Sequence, residues 1–139
     1  MRRSILAVSA LAALSALAAF AGGLQPPSAI TACSDVQNVR VSWTHINGVK
    51  SYIVELAATY NLDGQPTTRT FEFDANSTTL SVPLSVFEVQ VLSVDVNGTL
   101  IVSTIQPESI DSVAVESLRG PKTSGFSSPV TIGTCDSGQ

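Results

Sequence analysis

Apolar and polar residues alternate with a period of two in several segments of this sequence. Between residues 38 and 44, Val39, Val41 and Trp43 alternate with polar side chains. The alternation resumes at residues 51–57, after a polar break. A period of two places every second side chain on one face of a β-strand. Further segments with this pattern lie at 67–73, 78–82, 86–96, 99–105, 112–117 and 127–134.

Residues that favour turns separate these segments. They are Asn47-Gly48, Asp63-Gly64, Asp74-Ala75-Asn76, Asn97-Gly98 and Gly120-Pro121. After residue 21, no window of a dozen residues carries the apolar stripe of an amphipathic helix. Short strands with turns between them predict an all-β antiparallel sandwich or barrel.

The N-terminus has the features of an export signal. Arg2 and Arg3 precede an apolar stretch from Ile5 to Ala21, which ends in the small-x-small pattern of a cleavage site. The alternative is a membrane anchor, but the stretch is shorter than the roughly 20 apolar residues that cross a bilayer. We therefore predict a secretion signal peptide at 1–21. A short linker at 22–27, one domain at 28–135 and a tail at 136–139 follow it.

The charge of the remaining chain excludes some classes of partner. Five basic residues stand against eleven acidic residues after residue 21. Nucleic-acid binding requires clustered Lys and Arg, so neither nucleic acid nor an anionic membrane surface is an expected partner. A second long apolar run is absent from the sequence, so no membrane anchor is predicted. The expected location is extracellular, or periplasmic or at the cell surface in a bacterium.

The two cysteines, Cys33 and Cys135, stand near the two ends of the predicted domain. An even number of cysteines in an exported chain predicts a disulfide. Metal ligation and a thiol nucleophile are the alternatives. Because the only histidine is His45, the chain cannot supply four zinc ligands of these types, and neither a metal nor a cofactor is predicted.

Three separated segments carry a family resemblance. "VRVSWTHINGVKSYIVEL" (39–56), "PLSVFEVQVLSVDVNG" (83–98) and "GFSSPVTIGT" (125–134) resemble, in order, the second and third, the sixth and the last strands of the fibronectin type III family. The resemblance implies a two-sheet antiparallel sandwich with strands A, B, C, C′, E, F and G. In that topology Cys33 at the end of A and Cys135 at the end of G lie at the same pole, which is compatible with a disulfide.

The chain departs from the family pattern in two places. Phe87 occupies the position of the family's tyrosine, so we expect the corner before strand F to rely on packing alone. Residues 99–124 replace a short loop, and they predict an extended β-ribbon inserted between strands F and G. In an alternative register, 99–105 is the final sandwich strand and the residues after it form an added layer.

The start of the predicted ribbon is ambiguous in detail. Asn97-Gly98 predicts a two-residue hairpin turn that pairs Val94 with Ile101. The apolar residues stand at odd-numbered positions over residues 87–91 and at even-numbered positions over residues 92–96. This change of parity indicates either a β-bulge near 91–93 or a segment covered on both faces.

The predicted core is centred on Trp43. Because a sandwich strand buries one face, Trp43 is expected to be an interior residue and not a recognition residue. Its expected neighbours are Val39, Val41, Tyr52, Val54, Phe87, Val89, Val91, Val130 and Ile132.

The sequence offers little for catalysis. His45 has no Gly-x-Ser-x-Gly nucleophile motif to act with, and we interpret it as a solvated loop residue. Glu72 and Asp74 share a strand face but are expected to lie on a solvated outer surface. We therefore predict no enzymatic activity.

The predicted function is a secreted binding or adhesion module that recognises a protein or a glycan. The family presents contact loops on a rigid sandwich. We expect contacts from His45, Asn47 and Lys50 in the B–C loop and from Ile105, Glu108, Arg119 and Lys122 in the insertion. Asn76 and Asn97 begin N-glycosylation triplets in predicted turns. The alternatives are a structural protein that weakly self-associates through the ribbon edge, and a small secreted inhibitor or enzyme.

Overall fold

A computed structural model of the chain describes residues 23–136. The predicted signal peptide (1–21), the first linker residue and residues 137–139 of the predicted tail lie outside the described residues. In chain order the strands are β1 (Thr31–Ser34), β2 (Asn38–Ser42), β3 (Ser51–Leu62), β4 (Gln65–Ala75), β5 (Thr79–Pro83), β6 (Val89–Val94), β7 (Leu100–Ile105), β8 (Ser109–Arg119), β9 (Lys122–Phe126), β10 (Val130–Thr131) and β11 (Gly133–Thr134). A single 3-10 turn (Leu84–Phe87) connects β5 to β6. Between residues 23 and 136, no helix has the length and apolar character needed to span a membrane.

The strands form two sheets and a separate ribbon. One sheet has the order β11-β1-β2-β5, and the other has the order β10-β8-β3-β4, with β9 added to β8. Strands β1, β2, β3, β4, β5 and β8 correspond to A, B, C, C′, E and F of the fibronectin type III arrangement. The predicted fibronectin type III-like sandwich is confirmed.

The longest hairpin joins β3 to β4 through Asp63-Gly64. Both residues have positive φ, 55° and 82°, as a two-residue turn that matches the twist of a hairpin requires. The side-chain Oδ1 of Asn61 accepts a hydrogen bond from the backbone N of Gly64 at 2.7 Å. On β3 every second residue from Tyr52 to Tyr60 is buried, so the alternation in the sequence does mark an interior face.

The last strand is divided between the two sheets. β10 pairs with β8, whereas β11 lies parallel to β1, with Cys33 opposite Gly133. Pro129 precedes this region and has no N–H to donate to a sheet. The backbone N of Cys135 donates to the carbonyl of Ser34 at 3.1 Å. The predicted disulfide between Cys33 and Cys135 is confirmed, and it joins β1 to the residue that follows β11.

The placement of the insertion requires a correction. β6 and β7 pair with each other in a two-stranded ribbon, and the strand that pairs with β3 is β8. The ribbon therefore lies between strands E and F. The predicted insertion at 99–124 between strands F and G is not confirmed, because residues 109–119 are strand F itself. The alternative register fails for the same reason, since β7 pairs with β6 and not with a sandwich strand.

The ribbon turn also differs from the prediction. Pairing is continuous from Val89 opposite Ile105 to Val94 opposite Leu100, so no bulge interrupts 91–93 and Val94 does not pair with Ile101. The Oδ1 of Asp95 accepts hydrogen bonds from the backbone N of Asn97 and of Thr99, at 2.8 and 2.9 Å. This carboxylate stabilises a three-residue loop in place of the predicted two-residue turn.

The core lies between the two sheets and matches most of the prediction. Trp43 is 6% exposed, and its ring packs edge-to-face on Tyr52 with 5.2 Å between centroids. Of the other predicted core residues, Val39, Val41, Tyr52, Val54 and Phe87 are buried, and Val89, Val130 and Ile132 pack at the margin. The prediction that Val91 belongs to the core is wrong, because Val91 lies on the ribbon outside this cluster. Strand β8 supplies core residues that the prediction missed, Val113 and Val115.

The corner before the ribbon does not rely on packing alone. Phe87 is fully buried, and its ring contacts Phe71 and Phe73 edge-to-face. The hydroxyl of Tyr60 on β3 also donates a hydrogen bond to the backbone carbonyl of Phe87. A tyrosine on β3 therefore provides a hydrogen bond at this corner, which precedes the ribbon and not strand F.

Candidate interaction surface

The B–C loop and the β8–β9 turn meet at one pole of the sandwich. Arg119 Nη2 donates a hydrogen bond to the carbonyl oxygen of Asn47 at 2.6 Å. Lys122 pairs with Arg119 across the β8–β9 hairpin, and Lys50 precedes the start of β3. Five of the predicted contact residues, namely His45, Asn47, Lys50, Arg119 and Lys122, are therefore at this pole, and all of them are exposed.

Backbone geometry at this pole favours glycine at position 48. Gly48 has φ +84°, and a Cβ added there would meet the Arg119 guanidinium at 3.0 Å. Arg119 thus lies against the loop at Asn47 and Gly48. Its guanidinium is engaged in holding the loop and is only partly available to a partner.

The other two predicted contact residues lie at the opposite end of the sandwich. The backbone N of Glu108 donates to the carbonyl of Thr59 at 2.7 Å, near the far end of β3. Eight residues of extended strand separate Thr59 from Ser51, which is a distance of about 26 Å. The structure therefore does not bring Ile105 and Glu108 together with the B–C loop in one contact surface.

The ribbon of β6 and β7 carries a large exposed apolar face, which we call the ribbon face. Directly opposed residues of an antiparallel pair point to the same side, so Leu92 opposite Val102 and Val94 opposite Leu100 form two apolar rungs. Val96 is exposed in the loop at the tip of the ribbon. The exposed fractions are 65% for Leu92, 65% for Val94, 99% for Val96, 61% for Leu100 and 53% for Val102.

The opposite side of the ribbon mixes apolar and polar residues and is partly packed against the sandwich. It carries Val89 opposite Ile105 at the base, where both pack against the core, and further out Val91 opposite Ser103 and Ser93 opposite Ile101, which is 41% exposed. The base therefore anchors the ribbon to the sandwich, and the ribbon face points away from the residues that anchor it. Contiguous apolar patches of this kind are uncommon on monomeric proteins and mark interaction sites.

The ribbon also lacks the features that protect exposed strands. Within residues 23–136, β6 and β7 hydrogen-bond only to each other, so both outer edges are open. The sequence from 89 to 105 contains no Lys, Arg, Glu or Pro, and its one acid is Asp95, whose carboxylate is bound to the loop. Exposed edges are usually blunted by charge or proline. This ribbon is therefore suited to contact another surface.

Two clefts lie elsewhere on the described surface. One, of about 410 Å³, is a trough on the outer face of β1, β2 and β5, and small side chains such as Thr31, Ser42 and Thr79 line it. The other, of about 500 Å³, lies at the base of the ribbon beside Glu88 and Glu108. Neither cleft contains a buried titratable group, and between residues 23 and 136 no cluster of His, Cys, Asp and Glu has the geometry of a metal site.

The residues considered for catalysis, His45, Glu72 and Asp74, lie on the surface of the sandwich. His45 is exposed, and its Nδ1 lies 3.2 Å from the hydroxyl of Tyr52, which also accepts a hydrogen bond from the backbone N of Ile46. Glu72 and Asp74 are exposed on the outer face of β4, as expected. Asn76 and Asn97, which begin the glycosylation triplets, are exposed in turns, and glycosylation at either stays a prediction.

The sequence predicts a ribbon but not the face that it exposes. The predicted ribbon is at 99–124, and the change of parity between Val91 and Leu92 predicts either a bulge or a segment covered on both faces. Between residues 89 and 105, apolar residues occupy both odd-numbered and even-numbered positions, and only one residue is charged. This combination could have indicated an exposed apolar face. In a strand of a sandwich, either the odd-numbered or the even-numbered residues are expected to be polar, because one face of the strand contacts solvent.

No protein-family model and no curated protein matches the sequence. Among solved structures, the chain is similar to the fn3 domain of the human collagen alpha-1(XX) chain. The two are 18% identical, the match covers 85% of this chain and 93% of that domain, and the TM-score is 0.48.

Proposed function

We propose that the chain is a secreted, non-enzymatic binding module that contacts a protein through the ribbon face. The observation that carries this proposal is the exposure of Leu92, Val94, Leu100 and Val102 on one side of a ribbon anchored to a rigid sandwich, with Val96 exposed at the tip. Exposed apolar surface is costly in water, and covering it contributes roughly 25 cal/mol per Å². A protein partner gains from contact with this face.

The chemistry of the face favours a protein over a glycan. A sugar is held by several directional hydrogen bonds, whereas the two central rungs carry only hydrocarbon side chains. The rungs lie between Gln90 opposite Thr104 at the base and the loop at the tip. This arrangement of an apolar centre with a polar margin is typical of protein interfaces.

Secretion is part of the proposal. It is supported by the export-signal pattern at 1–21 and by the disulfide between Cys33 and Cys135, a bond that persists in oxidising compartments.

The test is capture from extracellular fluid on the immobilised chain, followed by titration of whatever protein is captured, including the chain itself. We expect Leu92→Ser with Leu100→Ser to reduce the bound protein at least tenfold. Ser93→Ala with Ser103→Ala, on the opposite side of the ribbon, is the matched control and should bind as the intact chain does.

A third variant tests the surface predicted from the sequence. Lys50→Ala with Lys122→Ala removes two cations from the B–C pole and leaves the ribbon intact. If this variant loses the partner and the ribbon variant retains it, the contact surface is the pole and the proposal is wrong.

A further inference from the structure

We propose that the protein bound by the ribbon face is a second copy of this chain, in a two-fold symmetric dimer. This inference rests on the proposed function and specifies its partner. It comes from the pattern of side-chain sizes within the two rungs, from their composition and charge, and from the area available.

The side-chain sizes on the ribbon face are complementary to themselves. On one rung the leucine is on β6, at Leu92, and the valine is on β7, at Val102; on the next rung the leucine is on β7, at Leu100, and the valine on β6, at Val94. The two leucines therefore occupy one diagonal of a four-residue square, and the two valines occupy the other.

This diagonal arrangement determines how two copies fit. When two ribbon faces pack on one another about a two-fold axis in the plane of contact, each leucine of one copy lies opposite a valine of the other. The result is the same whether the axis runs along the ribbon or across it. Large residues opposite small ones allow facing layers to interdigitate without voids. A two-fold contact in which one patch meets its own copy is the commonest form of protein oligomer.

The composition of the ribbon face points in the same direction. Contacts between different proteins depend on a few Trp, Tyr and Arg side chains, and the segment from 89 to 105 contains none of these. Homodimer interfaces are more apolar than those of transient complexes.

Charge also favours this face for contact between two copies. After residue 21 the chain is acidic, and two copies repel each other over most of their surfaces. The ribbon face is uncharged, so two copies approach there with the least electrostatic cost.

The area available sets the strength of the contact. Covering the four rung side chains and Val96 completely on both copies would bury at most about 1,200 Å² in total, the lower end of the range for specific interfaces. The dimer is therefore expected to be reversible and dependent on protein concentration.

The test uses charge at Val102. Val102→Lys and Val102→Glu each place a like charge on both sides of the contact, and we expect either variant to raise the dimer dissociation constant at least tenfold in sedimentation velocity. An equimolar mixture of the two variants should recover the dimer, because the lysine at position 102 of one copy then lies beside the glutamate at position 102 of the other copy. Ser103→Lys and Ser103→Glu add the same charges to the next residue, on the opposite side, and should dimerise as the intact chain does. Val102 and Ser103 are exposed, so the fold should be retained, and the fluorescence of buried Trp43 reports it.

The outcomes separate this inference from the proposed function. An intact chain that stays monomeric at all concentrations, or a dimer that Val102→Lys does not weaken, overturns the inference. If the chain is monomeric but the ribbon variants still lose a different captured protein, the proposed function stands and the partner is heterologous. If neither association depends on the ribbon, both proposals are wrong.

Discussion

The hydroxyl of Tyr60 donates a hydrogen bond to the backbone carbonyl of Phe87, and this bond closes the corner from which the ribbon departs. Tyr60 belongs to β3 in one sheet, whereas Phe87 ends the 3-10 turn that follows β5 in the other. Both residues are fully buried. The bond thus ties the two sheets together directly below the base of the ribbon.

We expect Tyr60→Phe to lower the free energy of unfolding by about 1–3 kcal/mol, because the carbonyl of Phe87 would remain buried without a donor. Urea unfolding followed by Trp43 fluorescence measures this loss. Tyr52→Phe is the matched control, since the Tyr52 hydroxyl contacts the exposed B–C loop, where water can replace it, and a smaller loss is expected. Equal losses for the two variants would contradict the special role of the corner bond.

Replacement of Ser117 by alanine should stabilise the folded domain. The side chain of Ser117 is fully buried, and among residues 23–136 its Oγ is one of two buried side-chain polar atoms without a hydrogen-bond partner, the other being Trp43 Nε1. Ser117→Ala removes the cost of an unpaired hydroxyl and should raise the free energy of unfolding by about 1 kcal/mol.

Ser124→Ala makes the same chemical change but is expected to have the opposite effect on the free energy of unfolding. Ser124 Oγ accepts a hydrogen bond from the backbone N of Ser117 at 2.9 Å, so its loss should destabilise by about 1 kcal/mol. Thermal unfolding of both variants measures the two effects. If Ser117→Ala is the more destabilising of the two, the buried hydroxyl has a partner and the prediction is wrong.

Removal of the disulfide should cost much of the stability of the domain. The bond between Cys33 and Cys135 joins residues 102 apart, and in the chain-entropy model a loop of this size contributes about 4–5 kcal/mol. We expect Cys33→Ser with Cys135→Ser to unfold at a much lower urea concentration than the intact chain. Reduction of the intact chain should produce the same shift, and an unchanged midpoint in both cases would refute the prediction.

The turn between β1 and β2 should weaken in acid. Two backbone N–H groups, from Gln37 and Asn38, donate to Asp35 Oδ1 at 2.7 and 2.8 Å, and with a smaller contribution from Arg40 they lower the pKa of Asp35. Since the folded pKa lies below the unfolded one, the stabilisation is fully present above the unfolded pKa. It is lost as the pH falls through the folded pKa, in the range below about pH 4.

Asp35→Asn keeps an oxygen acceptor but removes this charge. We expect the intact chain to be more stable than Asp35→Asn near neutral pH, and the difference to shrink as the solution is acidified below about pH 4. Arg40→Gln removes only the ion pair, at 3.0 Å, and should have the smaller effect. A stability difference that does not change with pH would contradict the role of the carboxylate.

Much of the sandwich could be predicted from local sequence. The alternation around Trp43 and Tyr52 identifies the buried faces of β2 and β3, because a strand covered on one side must place apolar residues at every second position. The turns at Asp63-Gly64 and Gly120-Pro121 were predicted for the same local reason, since few residues adopt positive φ without strain. The cysteine pair followed from the number of cysteines and the position of each in the strand order.

Local sequence does not show which segment occupies the place of strand F. Residues 86–96 and 109–119 both have the composition of a strand, and alternation does not state which neighbour a strand pairs with. The choice depends on non-local contacts, since Val113 and Val115 of β8 fit beside Val54 and Leu56 of β3 and leave β6 without a place in the sandwich. The apolar residues of β6 and β7 therefore became surface. A sequence determines that a side chain is apolar, but the packing of the whole chain determines whether anything covers it.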